Sequence, residues 1–172
     1  MVRQRYRHPR PLNVVRAEML LGIPDFVRTR RGTSAQRTGI RYEAKVQDHF
    51  QELYPHYVRS PWFLYATEEY PARINYAQFD GLLIDIYRGI LTIVEIKYKH
   101  TADAYFQLVN KYVPILEKFF EVKGPRIWQT AVVEVCRYFD PSIIFPCQVQ
   151  RCEDISRLRA GPFFVNICRP EE

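Results

Sequence analysis

The segment FDGLLIDIYRGILTIVEIKY, residues 79–98, joins two apolar runs through a short polar connection. Runs rich in β-branched and apolar residues predict strands, here over residues 74–86 and 90–98. The connecting residues, 87–89, end in glycine and predict a tight hairpin turn. The sequence therefore predicts two antiparallel strands near the middle of the chain, with ionisable residues among the apolar ones.

Three of those ionisable residues come together if residues 88–89 form a two-residue turn. In that register Asp80 lies opposite Lys97, and Leu82 lies opposite Glu95. Because successive side chains point to opposite faces of a strand, Asp80, Glu95 and Lys97 then share one face of the hairpin. A turn of three residues would break this register.

Two carboxylates and an ammonium group within a sheet need charged partners or a metal ion. Glu95 follows the apolar residues 91–94, which indicates that it is buried. One interpretation is a buried salt bridge between Asp80 and Lys97, with Glu95 at a solvated edge. The other is a divalent metal ion held by Asp80, Glu95 and the backbone carbonyl of Ile96. Such hard oxygen ligands suit Mg²⁺ or Mn²⁺, and Lys97 would orient a water molecule or stabilise developing negative charge.

A helix is predicted before these strands, over residues 39–54, and Pro55 ends it. Its apolar stripe, with spacings of four and three residues, consists of Val46, Phe50 and Leu53. One turn towards the N terminus the same stripe reaches Glu43, which would then face the sheet. If the helix is rotated, Glu43 is instead exposed to solvent.

The other elements form a mixed pattern. A second amphipathic helix is predicted over residues 102–121, which Thr101 can cap and Pro114 can kink. We also expect a short helix over 14–23, a strand over 62–66, a core strand within 126–138, and strands near 143–150 and 163–167. The order of helix, antiparallel strands, helix and strand predicts a single α/β domain.

A lone Asp followed by Glu-x-Lys on the next strand resembles the motif of the PD-(D/E)XK nuclease superfamily. The core of that superfamily is a helix, a three-stranded antiparallel meander, a second helix and a further strand. Residues 39–138 have this predicted order, so the resemblance implies a restriction-endonuclease-like fold, a mixed sheet flanked by helices. It also implies that Asp80 and Glu95 bind the metal and that Lys97 is the catalytic lysine. Phe79 stands where many members have proline, which others also lack.

Glu43 and Gln107 extend the resemblance. Many members carry a glutamate on the first core helix, aimed at the metal site, and Glu43 matches it. RecB-like and lambda-exonuclease-like members carry a glutamine on the helix after Glu-x-Lys. Gln107 matches that residue, which implies a role in positioning the water, the lysine or the scissile phosphate. In the RecB-like pattern a tyrosine follows four residues later, whereas here Lys111 has that position and Tyr112 comes one residue late.

The net charge of +6 is concentrated at the N terminus, where residues 1–41 contain ten arginines and two acids. We therefore expect a basic N-terminal extension, residues 1–38, before a nuclease-like domain, residues 39–172. Arginine binds phosphate bidentately, so the extension could contact a nucleic acid backbone, or it could be a solvated leader. The expected nucleic-acid contacts are Arg28, Arg30, Arg31, Arg37, Arg41, Lys99 and Lys111.

The composition, 47% hydrophobic and 26% charged, is typical of a globular chain and argues against a largely disordered one. Neither a membrane-spanning apolar run nor a secretory signal is evident, so we expect a cytoplasmic, intracellular protein with reduced thiols. The four cysteines, Cys136, Cys147, Cys152 and Cys168, lack a Cys-x-x-Cys pair. That spacing favours buried thiols over a zinc or iron–sulfur site.

Taken together, these features predict a Mg²⁺- or Mn²⁺-dependent nuclease that hydrolyses phosphodiester bonds, with DNA favoured over RNA as the substrate. An endonuclease is favoured over an exonuclease, and a homodimer or a larger DNA-processing complex is conceivable. The alternative is a nucleic-acid-binding or assembly module that does not cut. A protein-interaction domain with a buried salt bridge is the third hypothesis.

Overall fold

The computed structural model describes residues 7–27, 33–121, 128–143, 147–151 and 163–167, the last two ranges by their backbone. The strands are β1 (Val14–Leu20), β2 (Tyr57–Arg59), β3 (Trp62–Thr67), β4 (Tyr70–Gln78), β5 (Gly81–Asp85), β6 (Ile90–Lys99), β7 (Gln129–Tyr138), β8 (Cys147–Arg151) and β9 (Phe163–Ile167). The helices are α1 (Ser34–Leu53), α2 (Ala102–Phe106) and α3 (Val113–Glu121). A turn of π-helix, Gln107–Tyr112, joins α2 to α3, and we call residues 102–121 together the second helix.

These elements form an α/β fold with two sheets. One sheet has six strands in the order β2-β5-β6-β7-β9-β8, and the other has three strands in the order β1-β3-β4. In the larger sheet β2, β5 and β6 are successively antiparallel. The second helix then leads to β7, which pairs with β6 in parallel. A parallel neighbour requires such a crossover connection.

Each face of the larger sheet is covered by one helix. Apolar residues of α1, among them Val46 and Phe50, pack with Val94 and Ile96 of β6. The second helix packs on the other face, where Leu91 and Ile93 of β6 are buried. Side chains alternate between the two faces along β6, so the even-numbered residues Val94 and Ile96 face α1 and the odd-numbered ones face the second helix. Glu95 and Lys97 therefore project towards the second helix.

The prediction of a helix over residues 14–23 is wrong. Residues 14–20 form the strand β1, which pairs antiparallel with β3, with a register irregularity between Val14 and Arg16. Pairing with a strand far away in sequence outweighs the local helical pattern. Part of the predicted basic extension is therefore built into a sheet.

The predicted strand over 74–86 is two strands in different sheets. β4 ends at Gln78 and belongs to the smaller sheet, whereas β5 begins at Gly81 and belongs to the larger one. The strand that precedes β5 in the antiparallel meander is β2, residues 57–59, and not the predicted 62–66. The segment over 62–67 is a strand, as predicted, but it pairs with β1 and β4.

The predicted two-residue hairpin turn is also wrong. β5 and β6 are joined by four residues, 86–89, and Asp85 pairs with Ile90. The Asp85 carboxylate accepts hydrogen bonds from the N–H groups of Tyr87 and Arg88 at 3.1 and 2.9 Å, and Gly89 has a φ of 71°. A side chain that bonds the backbone of the turn favours this longer loop.

The helix α1 begins five residues earlier than predicted. Thr33 and Gln36 form a capping box, in which each side chain accepts a hydrogen bond from the backbone N–H of the other residue. The buried stripe includes Val46 and Phe50 as predicted, but Leu53, the last residue of the helix, is 53% exposed. The second helix has its predicted bounds, residues 102–121.

In the part of the chain that the structure describes, no helix combines the length and apolar character needed to cross a bilayer.

Cys136 is a free, buried thiol on β7, as expected. Cys147 lies in β8, while Cys152 and Cys168 are outside the described residues.

Candidate active site

The backbone of Asp80 lies between the ends of the two sheets, one residue before β5. Its Oδ2 atom accepts a hydrogen bond of 2.7 Å from the N–H of Ile96. The β5–β6 pairing of Gly81 with Val94, continued by one residue, would set Asp80 opposite Glu95 rather than Lys97. This shift of two residues leaves every side chain on its predicted face, because side chains repeat every two residues along a strand.

Glu95 and Lys97 form a buried ion pair. The Lys97 ammonium contacts Oε1 of Glu95, whose side chain is only 1% exposed, whereas that of Lys97 is 31% exposed. The other carboxylate oxygen, Oε2 of Glu95, has no hydrogen-bond donor among the described residues. A buried carboxylate that is only half satisfied is unfavourable unless a further cation or donor is bound.

The pKa values of the acids in this cluster are raised, which favours their protonated forms. Burial, and then the nearby Asp80 carboxylate, raise the pKa of Glu95 to about 8. Burial also raises the pKa of Asp80, against the opposing effects of the Ile96 N–H and Lys97. Burial lowers the pKa of Lys97, but the surrounding carboxylates, Glu95 first, outweigh it and raise that pKa. The site thus holds more negative charge than Lys97 alone can neutralise.

Glu43 of α1, on the opposite side of the sheet from Glu95, lies near enough to Asp80 and Lys97 for their charges to act on it. It is half-buried, and burial followed by the charge of Asp80 raises its pKa to about 7. Gln47, one turn further along α1 and 3% exposed, donates to Glu43 Oε1 at 3.2 Å and to the Asp80 carbonyl at 2.9 Å. Gln47 therefore connects two of the predicted acids, a contact that no sequence pattern indicated.

Gly81 is required where the chain enters β5. Tyr57 of β2 donates its hydroxyl to the Asp80 carbonyl at 3.3 Å, and its ring lies against Gly81. A Cβ atom on Gly81 would collide with that ring. Glycine thus allows β2 to lie close enough to hold the Asp80 backbone.

The π-helical turn sets the position of Gln107. Pro114 has no N–H for the carbonyl of Asn110, which instead accepts a hydrogen bond of 2.8 Å from the N–H of Leu12. The turn widens, and the N–H of Val113 bonds to the carbonyl of Leu108, five residues back. A widened turn of this kind is common at functional sites.

As a result Gln107 and Tyr112 are in contact. Gln107 Nε2 donates to the Tyr112 hydroxyl, which donates to the Gln78 carbonyl at 2.8 Å. The extra residue between the glutamine and the tyrosine is absorbed by the π-helix, in which residues five apart are neighbours. The charges of Glu95 and Asp80 both act on the Tyr112 hydroxyl, so this pair lies beside the cluster.

The residues predicted to contact nucleic acid lie in different places: two lysines are near the cluster and two arginines are on another side of α1. Lys111 is half-buried, and burial followed by the charge of Arg7 lowers its pKa, against the opposite effect of Glu95. Lys99 is exposed two residues beyond Lys97 on β6. Arg37 and Arg41 are exposed on α1, but at 100° per residue they lie on the side away from Glu43. Arg28, Arg30 and Arg31 are outside the described residues.

A second buried group adjoins the cluster on β7. Glu134, which pairs in register with Glu95, has a fully buried side chain, and its Oε2 atom is 2.6 Å from Nδ1 of His100. Burial raises the pKa of Glu134, while His100 and the N–H of Thr101 oppose that effect. The ligand atoms of His100, Glu134 and Cys136 lie within 4.8 Å of one another, so these side chains could hold a metal ion. The only sequence signal was an acid within an apolar strand.

Comparison with protein-family models, with curated proteins and with solved structures gave no match to this chain.

Proposed function

We propose that this protein is a metal-dependent nuclease that hydrolyses phosphodiester bonds, with DNA as its substrate. The observation that carries the proposal is the Glu95–Lys97 ion pair with Asp80 and Glu43 near enough for the charge of Lys97 to act on both, and with raised pKa values for all three acids. Three acids beside one lysine are costly for folding, which favours a role in binding a cation.

The residues fit a hard divalent cation. Oε2 of Glu95 lacks a donor among the described residues, and burial disfavours the charged state of each acid. The side chains of Asp80, Glu95 and Glu43, with the Ile96 carbonyl, would hold Mg²⁺ or Mn²⁺. When bound, such an ion polarises a phosphoryl oxygen and lowers the pKa of a water molecule.

The residues around the acids have separate roles in this proposal. Lys97, one third exposed, can reach a water molecule or a phosphate oxygen and stabilise charge that develops there. Gln107 is held by Tyr112 and positions the water, the lysine or the scissile phosphate. Asp80 is held on both sides, by Ile96 at its carboxylate and by Gln47 at its carbonyl. Such fixed geometry is what catalysis by positioning requires.

The order of elements supports the assignment to the PD-(D/E)XK superfamily. α1, the meander β2-β5-β6, the second helix and the parallel strand β7 follow one another as in the restriction-endonuclease-like core. β3 and β4 are then an insertion between the first two strands of the meander. The contact between Gln107 and Tyr112 supports a RecB-like arrangement despite the extra residue.

One assay tests the activity. Supercoiled and linear DNA, and RNA of the same sequence, are incubated with the protein in Mg²⁺, in Mn²⁺ or in EDTA. Cleavage of DNA that requires the metal is expected, because the cation supplies the positive charge that polarises the phosphoryl oxygen. Cleavage that continues in EDTA would contradict the proposal. Salt-sensitive binding without cleavage under any condition would favour the alternative, a nucleic-acid-binding module that does not cut.

The two lysines near the site are expected to contact the substrate backbone. The double variant Lys99→Gln/Lys111→Gln should weaken DNA binding and reduce the slope of log affinity against log salt by about two, one unit for each lost phosphate contact. The measurement is fluorescence anisotropy of labelled DNA at several salt concentrations.

The matched control is Arg37→Gln/Arg41→Gln, which removes the same charge from the side of α1 that faces away from Glu43. Its affinity should stay within about twofold of the parent protein, since distant charges are screened at physiological salt. An equal loss in both double variants would show that DNA is held by overall charge and not at this site.

A further inference from the structure

A cavity of about 550 Å³ opens between the two sheets, next to the candidate active site. Its walls, which are mostly apolar, come from the end of β1 and residues 21–23 after it, from residues 58–62 of β2, β3 and their connection, from Gln78 at the end of β4 and from Gln47 of α1. This volume lies within the range of roughly 300–1,000 Å³ that is typical of small-ligand sites.

The cavity walls are bonded to the catalytic residues at several points. Gln47 and Ser60 line the cavity, and both bond the Asp80 carbonyl, at 2.9 and 3.1 Å. Gln78 lines it too, and its carbonyl accepts the hydroxyl hydrogen of Tyr112. Ser60 has a φ of 48°, an uncommon backbone conformation for a residue with a side chain, and such strain is often found at functional sites. A ligand in the cavity would therefore lie close to Asp80.

The lining carries the groups that a nucleotide needs. Trp62 lines the cavity, and its buried indole N–H has no acceptor among the described residues. Arg59 offers a guanidinium held in place by Asp48 at 2.6 Å and Gln51 at 3.0 Å. Within the described part of the chain no acidic residue lines the cavity, in contrast to the neighbouring carboxylate cluster. Aromatic rings stack on any base, and arginine pairs with phosphate.

We propose that this cavity binds one unpaired nucleotide next to the scissile phosphate, with its base on Trp62 and its phosphate near Arg59. This inference rests on the proposed nuclease function and names the substrate class: DNA that is single-stranded or frayed at the cut. A base that is stacked and paired within a continuous duplex cannot enter a cavity unless it is extruded from the helix.

Tryptophan fluorescence tests this proposal, because the chain has two tryptophans, Trp62 and Trp128. Trp128→Phe leaves Trp62 as the sole emitter, and Trp62→Phe leaves Trp128 as the matched control. Both variants are made with Lys97→Ala, so that Mg²⁺ can be present without cleavage. The probes are a fluorescein-labelled single-stranded oligodeoxynucleotide and the blunt duplex of the same sequence, whose binding is followed by anisotropy.

The single-stranded probe should quench Trp62 by about a third or more at saturation, and leave Trp128 nearly unchanged, because bases stacked on tryptophan quench it. The blunt duplex should quench Trp62 much less. In the parent protein, Trp62→Ala should lower the efficiency of single-strand cleavage about tenfold or more, whereas Tyr70→Ala, an exposed aromatic outside the cavity, should have no effect.

The outcomes separate this inference from the proposed function. Binding of the single strand without quenching of Trp62, or equal quenching by the duplex, overturns the cavity proposal and leaves the nuclease proposal standing. Quenching of Trp62 in a protein whose parent never cleaves supports the cavity as a nucleotide site and overturns the nuclease proposal. Absence of oligonucleotide binding overturns the cavity proposal.

Discussion

Replacing Lys97 by alanine is expected to lower metal-dependent DNA cleavage by roughly a hundredfold to a thousandfold. The loss is large because Lys97 is bonded directly to the buried Glu95, and a donor aimed at developing charge contributes this much to a reaction rate. Asp80→Asn should have an effect of similar size, because it removes a charge from the cluster. Asparagine can still accept the hydrogen bond from the Ile96 N–H, so the local fold should persist.

The rates are measured under single-turnover conditions in Mg²⁺, and circular dichroism checks that each variant is folded. Lys45→Ala is the matched control, since Lys45 is an exposed lysine of α1. It should cleave at the parent rate. Parent-like cleavage by Lys97→Ala or Asp80→Asn would show that the site assignment is wrong, even if the protein is a nuclease.

The second large effect is on stability as a function of pH. In the folded protein the pKa of Glu95 is about 8 and that of Glu43 about 7, both above the ordinary value of 4.5. At pH values between the ordinary pKa and these raised pKa values, the folded state binds more protons than the unfolded state. The stability that these acids contribute is therefore full below about pH 4.5 and is lost as the pH rises through 7 to 8.

Glu95→Gln removes the group with the larger of these two shifts. In EDTA the variant should gain stability relative to the parent protein as the pH rises from 5 to 8, by an amount on the order of a few kcal/mol. Urea unfolding at several pH values measures the difference. Mg²⁺ should raise the Tm of the parent protein more at pH 8 than at pH 5, since the ion binds the ionised acids. At each pH, Mg²⁺ should raise the Tm of the variant less than that of the parent. A stability difference that does not depend on pH would contradict the buried position of Glu95.

The prediction that Asp80, Glu95 and Lys97 share one face of the hairpin does not depend on the register, which was predicted wrongly. The turn was predicted as two residues and is four, so every pairing moved by two positions. Strand side chains repeat every two residues, and an even shift changes the partner but not the face. Helical spacing likewise placed Glu43 on the sheet side of α1, where its pKa is raised. Periodicity is a local property, and so it can be seen in one sequence.

Other contacts could not have been predicted. The break between β4 and β5 occurs because their residues pair with different sheets, and pairing partners distant in sequence leave no local pattern. Glu134 meets Glu95 only because β7 lies beside β6 in parallel. In the sequence Gln47 is a polar residue of an amphipathic helix like any other, and its contact with the Asp80 carbonyl is seen only in the folded structure.

The spacing of Asp80, Glu95 and Lys97 by itself determined which three side chains share a face, because alternation along a strand holds whatever the sheet becomes. The tertiary structure alone decided how these residues are surrounded. It buried Glu95, brought Glu43 and Gln47 to Asp80, and widened the second helix so that Gln107 meets Tyr112. It also opened the cavity beside Trp62. Burial and long-range pairing depend on which segments pack together, and that is settled only when the whole chain has folded.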